Sequence, residues 1–516
     1  MATIKGKILS GGSAVRSDHI TLFEFSSLND KHPIKLASSQ SETNGKFVFK
    51  NIDLQPKKTY YITARNQSST LAALLKKDKH DGLVINDRSS VATSYVFNRF
   101  INGDQISGNR SSTRAGWMTY RNLVRTNGST ASLSHRNPGT TERVNLLANV
   151  TAAAGTDPST RRKFFKLTAA PGEAKAQTTL EAIAAIGRNP SRNAEKIFKL
   201  AESAPAIYPT DNQAIVDRQS WLLYFEHYGA PDVSDSVFFG PGNIALDRRG
   251  DLWITNNFRP GSENENPPFA SVTLPRMKPN GRLTGGEPLM GGGIYGSGFG
   301  VGIDPSDQVW VGNFGFGASK VPLRGNGNSI SLFSKKGQPL SPDGSELPSR
   351  IPSGGFTQGD LLGIQGVVSD QQGNIWIASF RDTKTTPSKV VLYPKGNPDH
   401  FVSYEHPKLS SPFDIAISAE GDAWVSYESG GRSGKGGIVQ LTFDESDGIE
   451  AVNTFQSKQF NVPFGIATGS DGSVWVSNNG GSPLYPSKTV SRIDSLTGQL
   501  ETFTINSDSF TGPWGI

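Results

Sequence analysis

The sequence predicts a mainly β protein in three parts, and three observations point to it. The 516 residues hold 57 Gly and 31 Pro against 35% hydrophobic residues. That balance suits short strands and many turns rather than a helical bundle. A Trp-bearing unit recurs five times after residue 239. Between residues 68 and 215 helix formers and small residues take over, so a helical segment interrupts the β pattern. The expected domains are 1–67, 68–215 and 216–516.

In the first part, residues 3–9, 19–25, 46–49 and 59–64 alternate or carry β-branched and aromatic side chains. They read as strands of a small β-sandwich. Asn44-Gly45, just before Lys46-Phe-Val-Phe49, is a hairpin signal. Gly6-Lys-Ile-Leu-Ser-Gly11, Thr43-Asn-Gly-Lys-Phe-Val-Phe49 and Tyr60-Tyr-Ile-Thr-Ala64 resemble the transthyretin-like, carboxypeptidase-regulatory type of module. The resemblance implies that sandwich over 1–67.

In the second part, residues 140–154, 159–169, 178–186 and 194–204 read as helices. Leu180, Ile183, Ala184 and Ile186 fall close to helical spacing, and Asn189-Pro190-Ser191 supplies a break and a cap. The net charge of +6 is placed unevenly: residues 101–200 carry 15 Lys and Arg against 6 Asp and Glu. The densest cluster is Arg161-Arg162-Lys163 with Lys166, read first as a solvated helical face. No nucleic-acid fold signature accompanies it, so no sequence-specific nucleic acid is expected as a partner.

The third part repeats itself. The units are Pro241-Gly-Asn-Ile-Ala-Leu-Asp-Arg-Arg-Gly-Asp-Leu-Trp253, Gly298-Phe-Gly-Val-Gly-Ile-Asp-Pro-Ser-Asp-Gln-Val-Trp310 and Ile364-Gln-Gly-Val-Val-Ser-Asp-Gln-Gln-Gly-Asn-Ile-Trp376. Two more follow, Pro412-Phe-Asp-Ile-Ala-Ile-Ser-Ala-Glu-Gly-Asp-Ala-Trp424 and Pro463-Phe-Gly-Ile-Ala-Thr-Gly-Ser-Asp-Gly-Ser-Val-Trp475. A sixth begins at Pro513-Trp-Gly-Ile516. Each unit reads as strand, tight turn, strand, with Asp and Gly in the turn. Five of the eight Trp share one position, which points to packing between neighbouring sheets. Small sheets repeated with one Trp each predict a β-propeller. Residues 220–226 (Ser-Trp-Leu-Leu-Tyr-Phe-Glu) look like the outer strand of a closing blade. Six blades are therefore expected, with chain continuing beyond Ile516.

The Pro-Phe-Gly-Ile-Ala form followed by Asp-Gly-Ser-Val-Trp-Val-Ser-Asn478 resembles NHL-type propellers of the virginiamycin B lyase kind, over 239–516. Leu83-Val-Ile-Asn-Asp-Arg-Ser-Ser-Val-Ala-Thr93, Arg143-Val-Asn-Leu-Leu-Ala-Asn-Val150 and Ala182-Ile-Ala-Ala-Ile-Gly-Arg-Asn-Pro190 resemble bacterial envelope or secreted proteins that join a helical region to such a propeller. That resemblance implies an extracellular or cell-envelope location. The lyases use histidine and metal chemistry at the channel. Here only His400 and His406 lie among the repeats, both in a connector, so no catalytic residue is assigned.

Two candidate sites remain. Gluconolactonase-like propellers hold a divalent cation on inner strands, and the third repeat position offers Asn243 and Asp414. A resident Ca²⁺ or Mg²⁺ would sit there in a metal-dependent lyase or lactonase. Two oxygen donors are few against the six to eight that calcium takes, so no cofactor is the first expectation. The second site is the rim. Three positions beyond each Trp stand Asn256, Asn313, Ser379, Tyr427 and Asn478, followed by Phe258, Phe314, Phe316 and Phe380-Arg381. Asn with aromatics suits a protein or carbohydrate ligand, since rigid rings give contact area at low entropy cost. The first functional expectation is thus a non-catalytic binding or scaffold protein.

Composition closes several routes. The chain has no Cys, which excludes disulfides, thiolate metal sites and thiol catalysis. The strand-like run at 3–9 follows Met1 at once, so the chain as given is expected to carry no signal peptide and to be a processed form. No stretch approaches the roughly 18 apolar residues of a membrane span. The Gly-rich stretch 291–300 lacks the Lys-Ser/Thr of a phosphate loop, and no Gly-x-Ser-x-Gly element joins a strand to a helix.

Overall fold

The computed structural model describes the chain except residues 26–31, 57, 67–68, 109, 132–136, 173, 212, 216, 227–236, 239, 260–269, 316–326, 344–353, 384, 407–408, 429–435, 470, 482–485 and 506–510. The chain forms two compact units, Met1–His227 with Arg248–Gly250, and Tyr228–Asp247 with Asp251–Ile516.

The first unit opens with two four-stranded sheets. One is built from β1 (Ala2–Ser10), β2 (Ser13–Ala14), β5 (Lys46–Ile52) and β8 (Leu83–Ile85), in the order β2-β1-β5 with β8 parallel to β1. The other has β3 (His19–Glu24), β4 (Ile34–Ser39), β6 (Tyr60–Arg65) and β7 (Thr70–Leu75), in the order β4-β3-β6-β7. Period-two alternation sends Ile4, Ile8, Phe47 and Phe49 from one sheet and Ile20, Leu22, Tyr60 and Ile62 from the other into a shared core. The opposite face of the second sheet puts Phe23, Tyr61 and Leu74 into a core shared with the helices. The expected break at residue 67 therefore falls inside this structure, because β7 pairs along all of β6 and β8 pairs with β1.

The turn at Asn44-Gly45 is present, but it joins strands of different sheets rather than a hairpin: β4 pairs with β3 and β5 with β1. Gly45 adopts φ +78°, and a Cβ there would stand 2.5 Å from the Ile8 carbonyl oxygen. Only glycine fits that approach.

Six helices follow among the described residues: α1 (Asp87–Val96), α2 (Arg110–Leu123), α3 (Pro138–Thr156), α4 (Pro158–Thr168), α5 (Thr179–Arg188) and α6 (Ala194–Glu202). The short strands β9 (Ile101–Asn102) and β10 (Gln105–Ile106) separate α1 from α2. The four helical segments expected from the sequence match α3 to α6. Thr178 and Glu181 close a capping box on α5. The cap of α6 is Asn193, at φ 49°, two residues beyond the Asn189-Pro190-Ser191 break. On α4, Phe164 is buried while Arg162, Lys163 and Lys166 are exposed. No helix among the described residues is long and apolar enough to cross a membrane.

Residues 220–226 form no strand. Trp221 is buried in the helical core, stacked on Phe198 at 3.7 Å between ring centroids, with its indole N–H on the Ala194 carbonyl. Tyr95 and Thr140 hold the neighbouring backbone. Side chains of α1 and α3, not a neighbouring strand, thus satisfy this segment. Its period-two pattern reflects a groove in the first unit, and it supplies no blade.

The second unit contains five antiparallel sheets in chain order. They are β11 (Pro241–Leu246), β12 (Leu252–Asn256) and β13 (Arg276–Met277); β14 (Ser297–Ile303), β15 (Val309–Asn313) and β16 (Ser329–Phe333); β17 (Ile364–Ser369), β18 (Ile375–Ser379), β19 (Lys389–Tyr393) and β20 (Val402–Tyr404). The last two are β21 (Pro412–Ile417), β22 (Ala423–Tyr427), β23 (Gly437–Asp444) and β24 (Gly448–Gln456); and β25 (Pro463–Thr468), β26 (Ser473–Asn478), β27 (Thr489–Asp494) and β28 (Leu500–Thr504). Each first strand packs beside the first strand of the next sheet. Small meandering sheets joined along their first strands make a propeller-like fold.

The repeat explains the packing. Asp304 accepts the N–H of Ser306 at 2.8 Å and of Gln308 at 2.9 Å in its own turn, and the Trp310 indole N–H at 3.1 Å. Asp370 does the same for its turn and Trp376, and Asp247 for Asp251 and Trp253. In the fifth unit Ser473 accepts the Trp475 indole. Oriented this way, Trp253 packs with Val301 and Val309, Trp310 with Ile364 and Ile375, and Trp424 with Ile466 and Val474. Every one of these contacts reaches the following sheet.

Candidate ligand-binding site

The first strands share a defect. In all five sheets the register shifts in the first strand: between the first and fourth repeat positions in four of them, as between Pro412 and Ile415, and between Ser297 and Val301 in the second. Such a bulge turns a side chain out of the alternating pattern. In β11 and β21 the residues inside it are Asn243 and Asp414, and both line one cavity of about 230 Å³. The structure therefore brings together the two residues singled out for a cation.

Among the described residues Asp414 has no cationic partner. One carboxylate oxygen accepts the Ile415 N–H at 2.9 Å, and the other accepts the Ile466 N–H at 3.2 Å. Burial pushes its pKa up to about 6, against those two hydrogen bonds. Asn243 uses its carbonyl oxygen on the Ile244 N–H of its own bulge. Among the described residues no group of three His, Cys, Asp or Glu converges anywhere. Among the described lining residues the side-chain oxygen donors are one carboxylate and one amide.

Aromatic rings stand beside it. The second repeat position carries Phe299, Phe413, Phe464 and Trp514. Phe413 and Phe464 stack at 4.0 Å, Phe464 and Trp514 lie 4.7 Å apart, and Phe299 stacks on Trp514 at 5.2 Å. Phe299 also meets Phe413 at 5.4 Å. Four rings thus gather, three of which, Phe299, Phe413 and Trp514, line the cavity, and Trp514 is half exposed. Phe314 and Phe380 extend the cluster outward, and the Arg381 guanidinium lies over both, 5.5 and 5.3 Å from their centroids. Burial raises the pKa of nearby Glu428 to about 7, against the pull of Arg381.

The rim residues are placed differently from expectation. Asn256, Asn313 and Asn478 are fully buried. Asn313 donates to Gly293, Ser329 and Ser331, and accepts the Tyr295 N–H. Asn478 donates to Thr489 and Ser491, and Asn256 to Val237 and Thr273. Each ties the end of a second strand to the start of the third, so none faces a ligand. Tyr427 is buried too, and its hydroxyl accepts from Gln456. Phe314 is buried inside the aromatic cluster. Phe316 lies outside the described residues. The sequence reading missed the second repeat position, although four aromatics among its six residues were the signal.

No protein family and no curated protein matches this chain. Many solved structures are similar at low identity, among them the following three. A protein of unknown function from Bacteroides caccae is 13% identical, with 55% of this chain and 86% of that one covered and a TM-score of 0.34. A gluconolactonase from Xanthomonas campestris is 13% identical, with 54% and 79% covered and a TM-score of 0.34. A luciferin-regenerating enzyme is 12% identical, with 52% and 77% covered and a TM-score of 0.31. At this level of likeness neither activity nor ligand passes from them to this chain.

Proposed function

We propose that this chain is a non-catalytic binding protein of the bacterial envelope or exterior, taking a protein or carbohydrate ligand at the aromatic end of its second unit. The observation that supports it is the gathering of Phe299, Phe413, Phe464 and the half-exposed Trp514 beside a cavity. Exposed aromatic faces offer contact area with little entropy to lose.

The finer architecture belongs to this reading: six blades, the last begun by residues 513–516, and a transthyretin-like sandwich from the two N-terminal sheets. Its support is a repeated staple. Ser426 Oγ donates to the Phe464 carbonyl, and Ser477 Oγ donates to the Trp514 carbonyl at 3.2 Å. Trp514 therefore stands to β25 as Phe464 stands to β21.

The test is a glycan and peptide array probed with wild type and Trp514→Ala. A ligand held by the first and lost by the second supports the reading. Binding that ignores Trp514 removes it. A second reading, a metal-dependent lyase or lactonase, draws on Asn243 and Asp414 lining one cavity. It predicts a Ca²⁺- or Mg²⁺-dependent rise in melting temperature that is lost in Asp414→Ala.

A further inference from the structure

The chemistry of the cavity is more specific than a general binding surface. We propose that it takes a small organic ammonium group, a primary or quaternary amine carried on a small molecule or a ligand side chain, paired with the Asp414 carboxylate under Phe299, Phe413 and Trp514. This inference rests on the binding reading and names the chemical group recognised at that site.

Three observations carry it. The two backbone N–H donors fix the carboxylate plane of Asp414, and neither oxygen has a cationic partner among the described residues. A half-buried carboxylate so placed is open to a cation from outside. Phe299, Phe413 and Trp514 line the same cavity and supply ring faces with negative potential. The remaining walls include Val301, Val367 and Ile466, whose side chains suit methyl or methylene groups. An anion meets repulsion here, and a neutral group leaves the charge unpaired. The volume of about 230 Å³ lies below that of drug-sized pockets, so the group is small.

The elements packed against Asp414, β17, β22 and β25, face it with Val367, Ser426 and Ile466. Among the described lining residues Asp414 carries the one ionisable side chain.

The experiment is calorimetric titration of the full chain with choline, with its uncharged carbon isostere and with CaCl₂, at pH 8. It is run on wild type and Asp414→Asn, with a thermal melt of each. The expected result is choline binding that is about tenfold or more weaker in Asp414→Asn and stronger than binding of the isostere. Isostere binding equal to choline in wild type overturns the inference even if the variant fails to fold. Calcium binding without choline binding overturns it in favour of a metal. Absence of choline binding while an array ligand still depends on Trp514 sinks this inference and leaves the binding reading standing. Loss of both sinks both.

Discussion

At the residue scale the molecule depends on charges held inside it. Arg276 is buried with Asp247 at 2.8 Å and Asp251 at 3.1 Å, and its guanidinium lies over Trp253. Removing one side of such a group strands the rest. Arg276→Ala is expected to cost about 3–5 kcal/mol in urea unfolding, whereas an exposed pair such as Lys395–Glu445 is expected to cost under about 1 kcal/mol. The carboxyls behave differently. Asp87 and Asp414 are raised to about 6 and Glu428 to about 7, in each case chiefly by burial. A folded pKa above the unfolded one means that the native state holds the proton more tightly. The stability so gained is complete below about pH 4 and is lost as pH rises through 6 to 7. Asp157, on the α4 N-terminus, is held down to about 2, first by its Thr160 side-chain hydrogen bond, and acts only in stronger acid. Melting temperature is therefore expected to fall from pH 5 to pH 8, and Asp414→Asn to melt higher than wild type at pH 8. A flat profile contradicts this. The same variant is expected to lose choline, so stability and recognition oppose each other at this residue.

The rim asparagines show what a sequence hides at this scale. Their recurrence was legible, but their partners were not. Asn313 meets Ser329 and Ser331, and Asn478 meets Thr489 and Ser491, each across a connection whose path no local pattern specifies. Asparagine at a strand end reads alike whether it faces solvent or crosses to the next strand.

At the element scale the Asp-turn-Trp unit is the device that orders the second unit. Its recurrence was fully legible, because the turn geometry, the strand pair and the Trp are all local. Trp376 is buried against Ile415, Val425 and Val439 of the following sheet. Trp376→Ala is expected to destabilise by about 3–5 kcal/mol, read as a lower urea midpoint, while Trp376→Phe recovers part of it. Where a segment's partner came from elsewhere, the local reading failed. Residues 220–226 had a strand pattern, yet Trp221 fills a slot beside Phe198. Asn44-Gly45 gave a true turn, but its flanking strands pair in different sheets. The bulge in the first strands was also illegible, since it is a register shift in hydrogen bonding against the partner strand and no residue type in the strand marks it.

At the scale of the whole molecule, the two units divide after residue 227 rather than at 215. A chain cut after residue 215 lacks Trp221 and the backbone that Tyr95 and Thr140 hold. It is expected to melt well below one cut after residue 226, with the loss of the Trp worth about 3–5 kcal/mol. Equal melting of the two refutes that assignment. The candidate site draws on all the first strands at once. Sequence alone supplied Asn243 and Asp414 as a pair, because a repeat places equivalent positions around one axis. It did not weight the ring position beside them, because Phe in a strand is ordinarily core. Only the convergence of Phe299, Phe413, Phe464 and Trp514 distinguishes a mouth from a core.

The most direct test of that account is the affinity of wild type and Trp514→Ala for the same array-selected ligand, with melting curves of both and an assay for conversion of the bound compound. The account predicts at least about a tenfold loss of affinity with unchanged melting and no turnover. Unchanged affinity, or conversion of the ligand that depends on Asp414, contradicts it.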